Sequence, residues 1–258
     1  MAGLLRSEGR SGAKFAAAIS AEFFGVLFFA LIGAAASYKN FAIANGLALA
    51  VLVYATANVS GGHLNPAVTV AALATGHVSV LRGLSYIAAQ IGGAIAASAL
   101  HLALLPKAAA VGCSGPGGGA TLGQAIVWEL LLTAVLVTVV YAVAIGDKNF
   151  AGPAAIGITL AAAALTALPY TGAALNPART LGPAIVFGCG AGSVRTTLLY
   201  VLAQLLGGLA AGAASWPLYG IGPHFGKWGE ELRADAEVAY DEAKQALRGT
   251  YARLEDQA

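Results

Sequence analysis

Long runs without Asp, Glu, Lys or Arg dominate the chain: 23–38, 40–81, 83–106, 108–128, 130–146, 149–178, 180–194 and 196–226. A helix needs about 20 mostly apolar residues to cross a bilayer. The runs predict six spanning helices, at about 15–37, 43–60, 82–105, 121–145, 152–169 and 195–219. The runs 40–81 and 149–178 are not single spans. Each holds glycines and an Asn-Pro pair where a continuous helix should break. Short apolar segments follow the breaks, at about 66–75 and 177–187. Segments that short cannot cross a bilayer. They can enter and return as half-helices, provided protein or a water cavity surrounds their broken ends.

Composition agrees with this pattern. Of 258 residues, 58% are hydrophobic and 10% charged, against roughly 25% charged in an ordinary soluble domain. Residues 224–258 hold 5 of the 14 basic and 8 of the 12 acidic side chains. That argues against a soluble enzyme, which would need more charge to cover its surface. The expected organisation is a polar tail (1–14), a membrane unit (15–223) and a charged tail (224–258), with lipid as a partner. No small-residue cleavage site follows the first apolar stretch, so 15–37 reads as a retained span rather than a signal peptide. Net charge is +2 without a basic run, so nucleic acid is not an expected partner. Cys113 and Cys189 make neither a disulfide framework nor a metal site, and their pairing stays open. In the tail, Trp228, Leu232, Ala236, Tyr240, Ala243, Leu247, Tyr251 and Leu254 recur every three or four residues. That predicts an amphipathic helix, either at the water or membrane surface or binding a partner.

The two halves repeat. Glu22 in the first answers Glu129 in the second. Gly61-Gly62-His63-Leu64-Asn65-Pro66-Ala67 answers Gly172-Ala173-Ala174-Leu175-Asn176-Pro177-Ala178, and Ala89-Gln90 answers Ala203-Gln204. The Glu-to-Asn separations are 43 and 47, and the Asn-to-Gln separations 25 and 28. Three spans per half is an odd number, so the halves must sit inverted, which places a shared site near the midplane. With both termini inside, the inner loops carry Arg6, Arg10, Lys14, Arg82 and Lys148, and the outer ones Lys39, Lys107 and Arg195. The bias favours cytoplasmic termini.

Asn is a strong N-cap and Pro is favoured at the first helical position, so each Asn-Pro should open a half-helix. Capping uses the Asn side-chain oxygen and leaves its amide free to donate. Two inverted half-helices would aim their positive ends at one spot. A water passing there would accept two hydrogen bonds and could pass no proton along the file.

Two Asn-Pro-Ala motifs, Asn65-Pro66-Ala67 and Asn176-Pro177-Ala178 followed by Arg179, resemble the aquaporin (major intrinsic protein) family over about residues 15–220. The flanks Ser60-Gly61-Gly62-His63-Leu64 and Thr180-Leu181-Gly182-Pro183 agree. The stretch 81–90 is similar to the plant tonoplast branch, whereas the long charged tail is not typical of it. The resemblance implies an all-α membrane protein of six transmembrane helices and two re-entrant half-helices in inverted repeats, assembled as a homotetramer. It also implies a passive channel without cofactor, metal or catalytic residue. It places a constriction at Arg179 with Asn45, Ala164 and Ala173, counted 20 residues before Asn65 and 12 and 3 before Asn176. Strict water channels carry an aromatic, a His and a small residue there, so this filter is expected to be wider. Polyol facilitators usually carry Asp where this chain has Thr180. The resemblance further implies acceptor ladders from the carbonyls of Gly61, Gly62, His63, Gly172, Ala173 and Ala174, and an apolar pore wall of Phe29, Leu49, Leu136 and Leu160.

Each singled-out residue has a plainer alternative. Arg179 could form a structural ion pair, although no acid lies nearby in sequence. Glu22 and Glu129 are either a proton relay or structural acceptors for the loops' backbone donors. His63 is a packed residue, a pH sensor or a pore lining, and the four wall residues could be helix core. Water, glycerol, urea and hydrogen peroxide are the expected solutes, with ions and protons excluded. A strict water channel, a secondary transporter and a junction protein with a vestigial pore are the alternatives. The transporter would normally need a coupling residue at the midplane.

Overall fold

The computed structural model describes residues 10–105, 111–146, 150–189 and 194–224, together with Arg233, Glu237, Tyr240, Asp241, Lys244 and Arg248. The described elements are α1 (Arg10–Ala35), α2 (Phe41–Thr56), α3 (Pro66–Ala74), α4 (Val80–Leu104), α5 (Leu122–Val140), α6 (Gly152–Thr171), α7 (Pro177–Phe187) and α8 (Val194–Tyr219). A π-helical turn, Tyr141–Gly146, continues α5. The expected six spans and two half-helices are all present, and no strand occurs among the described residues. The first helix starts earlier than the apolar run suggested, at Arg10 rather than 15.

Five helices have the length and apolarity to cross a bilayer. The sixth, α2, has 16 residues. At about 1.5 Å per residue it is shorter than a hydrocarbon core of about 30 Å. It was expected to run to residue 60, but the chain turns away after Thr56. Ser60 is drawn out of the helix, where its hydroxyl donates to Glu22 at 2.6 Å.

Packing follows the repeat. The pair α1 and α4 matches α5 and α8, α1 and α2 match α5 and α6, and α4 with α7 matches α8 with α3. At the centre α2 crosses α6, each the repeat partner of the other. Gly46 and Gly157 meet there: a Cβ on either would run into the carbonyl of the other. In a membrane, where lipid is as apolar as the side chains, such close backbone approach is a main source of helix association. Gly93 and Gly207 do the same where α4 meets α1 and α8 meets α5.

Six crossings put both ends of the described bundle on one face. The half-helices run from the middle outward, α3 toward that terminal face and α7 toward the opposite one. The six described tail residues are helical and exposed, Tyr240 included. The other apolar positions of the expected tail helix (Trp228, Leu232, Ala236, Ala243, Leu247, Tyr251 and Leu254) lie outside the described residues.

Candidate functional site

Each Asn-Pro caps its half-helix as expected. Asn65 (φ −159°, ψ 121°) accepts from the Ala67 N–H, and Asn176 (φ −158°, ψ 116°) from those of Ala178 and Arg179. The Asn amides are not wholly free. Asn65 Nδ2 donates to the Leu175 carbonyl at 2.9 Å, and Asn176 Nδ2 to the Leu64 carbonyl at 2.8 Å. Each half thus ties down the loop of the other. An amide nitrogen carries two hydrogens, so one remains per Asn.

The loops leading in share an unusual backbone. Gly61, Gly62 and Leu64 have φ of 95°, 63° and 48°, and Gly172, Ala173 and Leu175 have 85°, 48° and 50°. The left-handed region is disfavoured for residues with a Cβ, by about 1–2 kcal/mol each. Glu22 and Glu129 hold these conformations in place, and both are fully buried. Glu22 accepts from Ser60 Oγ, the His63 and Leu64 N–H groups and Gln90 Nε2, at 2.6–3.0 Å. Glu129 accepts from Thr171 Oγ1, the Ala174 and Leu175 N–H groups and Gln204 Nε2, at 2.7–3.1 Å. The set is the same in each half, and each carboxylate has four donors. Gln90 and Gln204 also donate to Thr69 and Thr180 on the half-helices. Thr180, where an Asp would suit a polyol facilitator, is therefore the repeat partner of Thr69.

A narrow cavity runs past this centre. Phe29, Leu49, Leu136 and Leu160 line it, together with Asn65, Asn176, Gly62 and His63. Ala174 and Leu175 also line it, as do Val53, Val68, Val140 and Ile156, which were not singled out from sequence. The repeat could have found Val68 and Ile156: Val68 lies three residues after Asn65 as Arg179 does after Asn176, and Ile156 lies 20 before Asn176 as Asn45 does before Asn65. The channel's asymmetry shows here: Val68 stands where the second motif has Arg179. The cavity leads to a wider vestibule on the terminal face, bordered by Tyr54, Asn58, His77, Arg82 and Phe150. His63 lies between the two spaces, with Nδ1 3.1 Å from Thr69 Oγ1 and its ring edge-on to Tyr86.

Arg179 is nearly buried. Its Nη1 donates to the carbonyls of Ala173 and Ala174 at 3.3 and 3.1 Å, so part of the expected acceptor ladder serves the arginine. Phe29 and Phe41 present rings 5.1 and 5.5 Å from its guanidinium carbon. Two carbonyl dipoles and two ring faces are its partners, in place of the ion pair considered from sequence. Ala164 and Ala173 are both buried.

Asn45 departs from the counted filter. Its amide nitrogen donates to the carbonyls of Gly33 on α1 and Phe41 on its own helix, at 2.9 and 2.8 Å. Both amide donors are spent, and the side chain fills the space over Gly33. The residue facing the arginine from α2 is Phe41, one turn earlier. Counting along a motif finds the helix but not which turn of it reaches the arginine.

The cysteines, left open by the sequence, form a Cys113–Cys189 disulfide on the face opposite the termini. Gly115 and Gly117 N–H groups donate to the carbonyls of Thr171 and Tyr170 beside it. Among the described residues no cluster of three or more His, Cys, Asp or Glu could hold a metal.

Comparison with known proteins agrees with this architecture. Residues 10–214 match the family model described as major intrinsic protein. The chain is 42% identical to bovine aquaporin-2 over 188 residues, covering 67% of this chain and 69% of that protein. It is 41% identical to maize aquaporin TIP2-2 over 175 residues, covering 66% and 68%. Mouse aquaporin-4 matches over 257 residues at 32% identity, covering 93% and 76%. Animal and tonoplast-type relatives are thus about equally similar. The crystal structure of the aquaglyceroporin from Plasmodium falciparum shares the fold, with a TM-score of 0.68 at 21% identity over 80% of this chain and 96% of that one. Two capped half-helices meeting in an inverted six-span bundle, and a family match across most of it, lead to one conclusion: the chain belongs to the major intrinsic protein (aquaporin) family, multi-pass membrane channels that act passively and not as enzymes.

Proposed function

We propose that this channel conducts water and glycerol, with urea and hydrogen peroxide as further permeants, and rejects protons and other ions. The crossed amide pair at the centre carries the reading. Asn65 and Asn176 each keep one N–H after tying down the opposite loop. The positive ends of α3 and α7 point at the same spot. A water there accepts two hydrogen bonds and finds no acceptor for its own protons, which interrupts proton hopping. Arg179 adds a fixed positive charge against cations.

Glycerol follows from the filter. Ala164 and Ala173 leave two sides without bulk. Phe29 and Phe41 offer ring faces to a carbon skeleton, and Arg179 donates to hydroxyl oxygens. A second reading, a strict water channel, draws support from the same Phe41, whose ring takes up space that Asn45 leaves. The carbonyls of Gly61, Gly62, His63 and Gly172 act with the remaining capacity of Ala173 and Ala174 as the acceptor ladder. Glu22 and Glu129 act as structural anchors, and the apolar wall keeps the file moving between polar stations.

The channel unit covers about 15–223, works as a homotetramer with one pore per subunit and has cytoplasmic termini. The disulfide supports that orientation, since disulfides persist on oxidising faces. Stopped-flow light scattering of proteoliposomes under sucrose, glycerol and urea gradients tests the reading. Fast water flux with glycerol entry well above that of protein-free vesicles is expected. A glycerol gradient held as long as in empty vesicles, alongside fast water flux, would leave the strict water channel standing.

A further inference from the structure

The Cys113–Cys189 bridge joins positions 76 apart in sequence and uses the only two cysteines of the chain. Cys189 directly follows Gly188, the C-cap of α7, whose first turn carries Arg179. Cys113 adjoins Ser114, whose backbone packs on Gly172 so closely that a Cβ there would lie 2.9 Å from it. Gly172 opens the loop whose Ala173 and Ala174 carbonyls hold Arg179. The segment 112–117 therefore lies across the filter loop, and the bridge fastens it to the outer end of the half-helix bearing the arginine.

Two details set this arrangement apart from its counterpart in the other half. Cys189 has a φ of 28°, a left-handed backbone that a residue with a Cβ adopts only when its surroundings impose it. The second is a broken repeat. In the first half, Tyr86 donates its hydroxyl to the carbonyl of Ser60 at 2.9 Å. The repeat partners are Tyr200 and Thr171. The Thr171 carbonyl instead accepts the Gly115 N–H, and the buried Tyr200 hydroxyl has no partner. Segment 112–117 has taken the acceptor that serves a tyrosine in the other half.

We propose that the Cys113–Cys189 bridge is a thiol–disulfide modification site that sets the tightness of the filter, its reactant being a dithiol reductant. Oxidised, it clamps segment 112–117 over the filter loop. Reduction frees the segment, lets the Tyr200 hydroxyl take the Thr171 carbonyl, and loosens the frame around Arg179. In the chemical step a reductant thiolate attacks one sulfur and the S–S bond breaks to a mixed disulfide. The reagent's second thiol resolves that intermediate. Two electrons and two protons end on Cys113 and Cys189 as thiols, and the reagent leaves as its cyclic disulfide. The inference rests on the placement of the filter at Arg179.

The experiment uses the full chain in proteoliposomes. Maleimide labelling counts free thiols before and after dithiothreitol, and stopped-flow measures water, urea and glycerol permeability in each state. Reduction is expected to raise the urea-to-water permeability ratio about threefold. The double variant Cys113→Ser/Cys189→Ser should show the raised ratio from the start and ignore the reductant. Mercuric chloride should be inert on the oxidised channel and inhibit the reduced one. An unchanged ratio with both thiols labelled overturns the proposal, as does a bridge that cannot be reduced without unfolding the channel. If the double variant does not assemble, reduction of the unaltered chain decides alone. Missing water flux in both states would sink the channel reading itself, whereas normal water flux with an unchanged ratio sinks only the clamp.

Discussion

Replacing Glu129 by Gln separates an anchor from a proton relay. The side chain keeps its shape and can stay neutral in either role. As an anchor, the carboxylate takes four donors: Thr171 Oγ1, Ala174 N–H, Leu175 N–H and Gln204 Nε2. A Gln can accept on one oxygen only, and its NH2 then faces the donors of Leu175 and Gln204. Gln204 can rotate its amide to offer oxygen. The Leu175 N–H cannot, and a buried orphaned donor costs about 1–3 kcal/mol. Replacing charge-assisted bonds by neutral ones costs roughly a further 1 kcal/mol. The sum is about 2–4 kcal/mol. At about 2–4 °C per kcal/mol for a chain of this size, melting should fall by roughly 5–15 °C. Leu175 also accepts from Asn65, so the loss reaches the other half. Glu22→Gln should cost a similar amount, and the two together should depart from additivity by about 0.5–3 kcal/mol. The assay is thermal unfolding of the purified channel, followed by tryptophan fluorescence, alongside stopped-flow water flux. If Glu129→Gln melts like the unaltered chain and conducts water normally but abolishes a proton-coupled flux, the anchor argument is refuted and the relay stands.

Arg179→Ala should raise proton or cation leak in planar bilayers while water still flows, and a robust cation current through the unaltered channel would contradict the account of its centre. Ala173→Cys should create mercury block at the filter, because the chain's own two cysteines are both in the disulfide; an unblocked Ala173→Cys channel would mean that this position does not face the pathway. Phe41→Ala should raise glycerol permeability several-fold relative to water, whereas Ala164→His should suppress glycerol and spare water. Equal glycerol-to-water ratios in the unaltered chain and Phe41→Ala would remove Phe41 from the filter.

Much of this architecture was legible in the chain. Runs without charge located the helices because a bilayer admits few charges. Asn65-Pro66 and Asn176-Pro177 marked two helix starts because capping is local chemistry, settled by an oxygen, a ring and the next two N–H groups. The spacing of Glu22, Asn65 and Gln90 against Glu129, Asn176 and Gln204 revealed the repeat, and three spans per half implied its inversion. What depends on how helices lie against each other was not legible. The crossed bonds from Asn65 to Leu175 and from Asn176 to Leu64 join residues 110 and 112 apart, and no local rule pairs them. Phe41 rather than Asn45 reaches Arg179 because the α2–α6 crossing at Gly46 and Gly157 and the contact of Asn45 with Gly33 fix the height of α2 against the filter. A shift of one turn changes no hydrophobic pattern, so the sequence carries no mark of it. The pairing of Cys113 and Cys189 likewise stayed open in the sequence, since it depends on two loops meeting on one face. Local backbone chemistry and apolar periodicity specify the parts; side-chain contacts between distant segments decide which of them face the pathway.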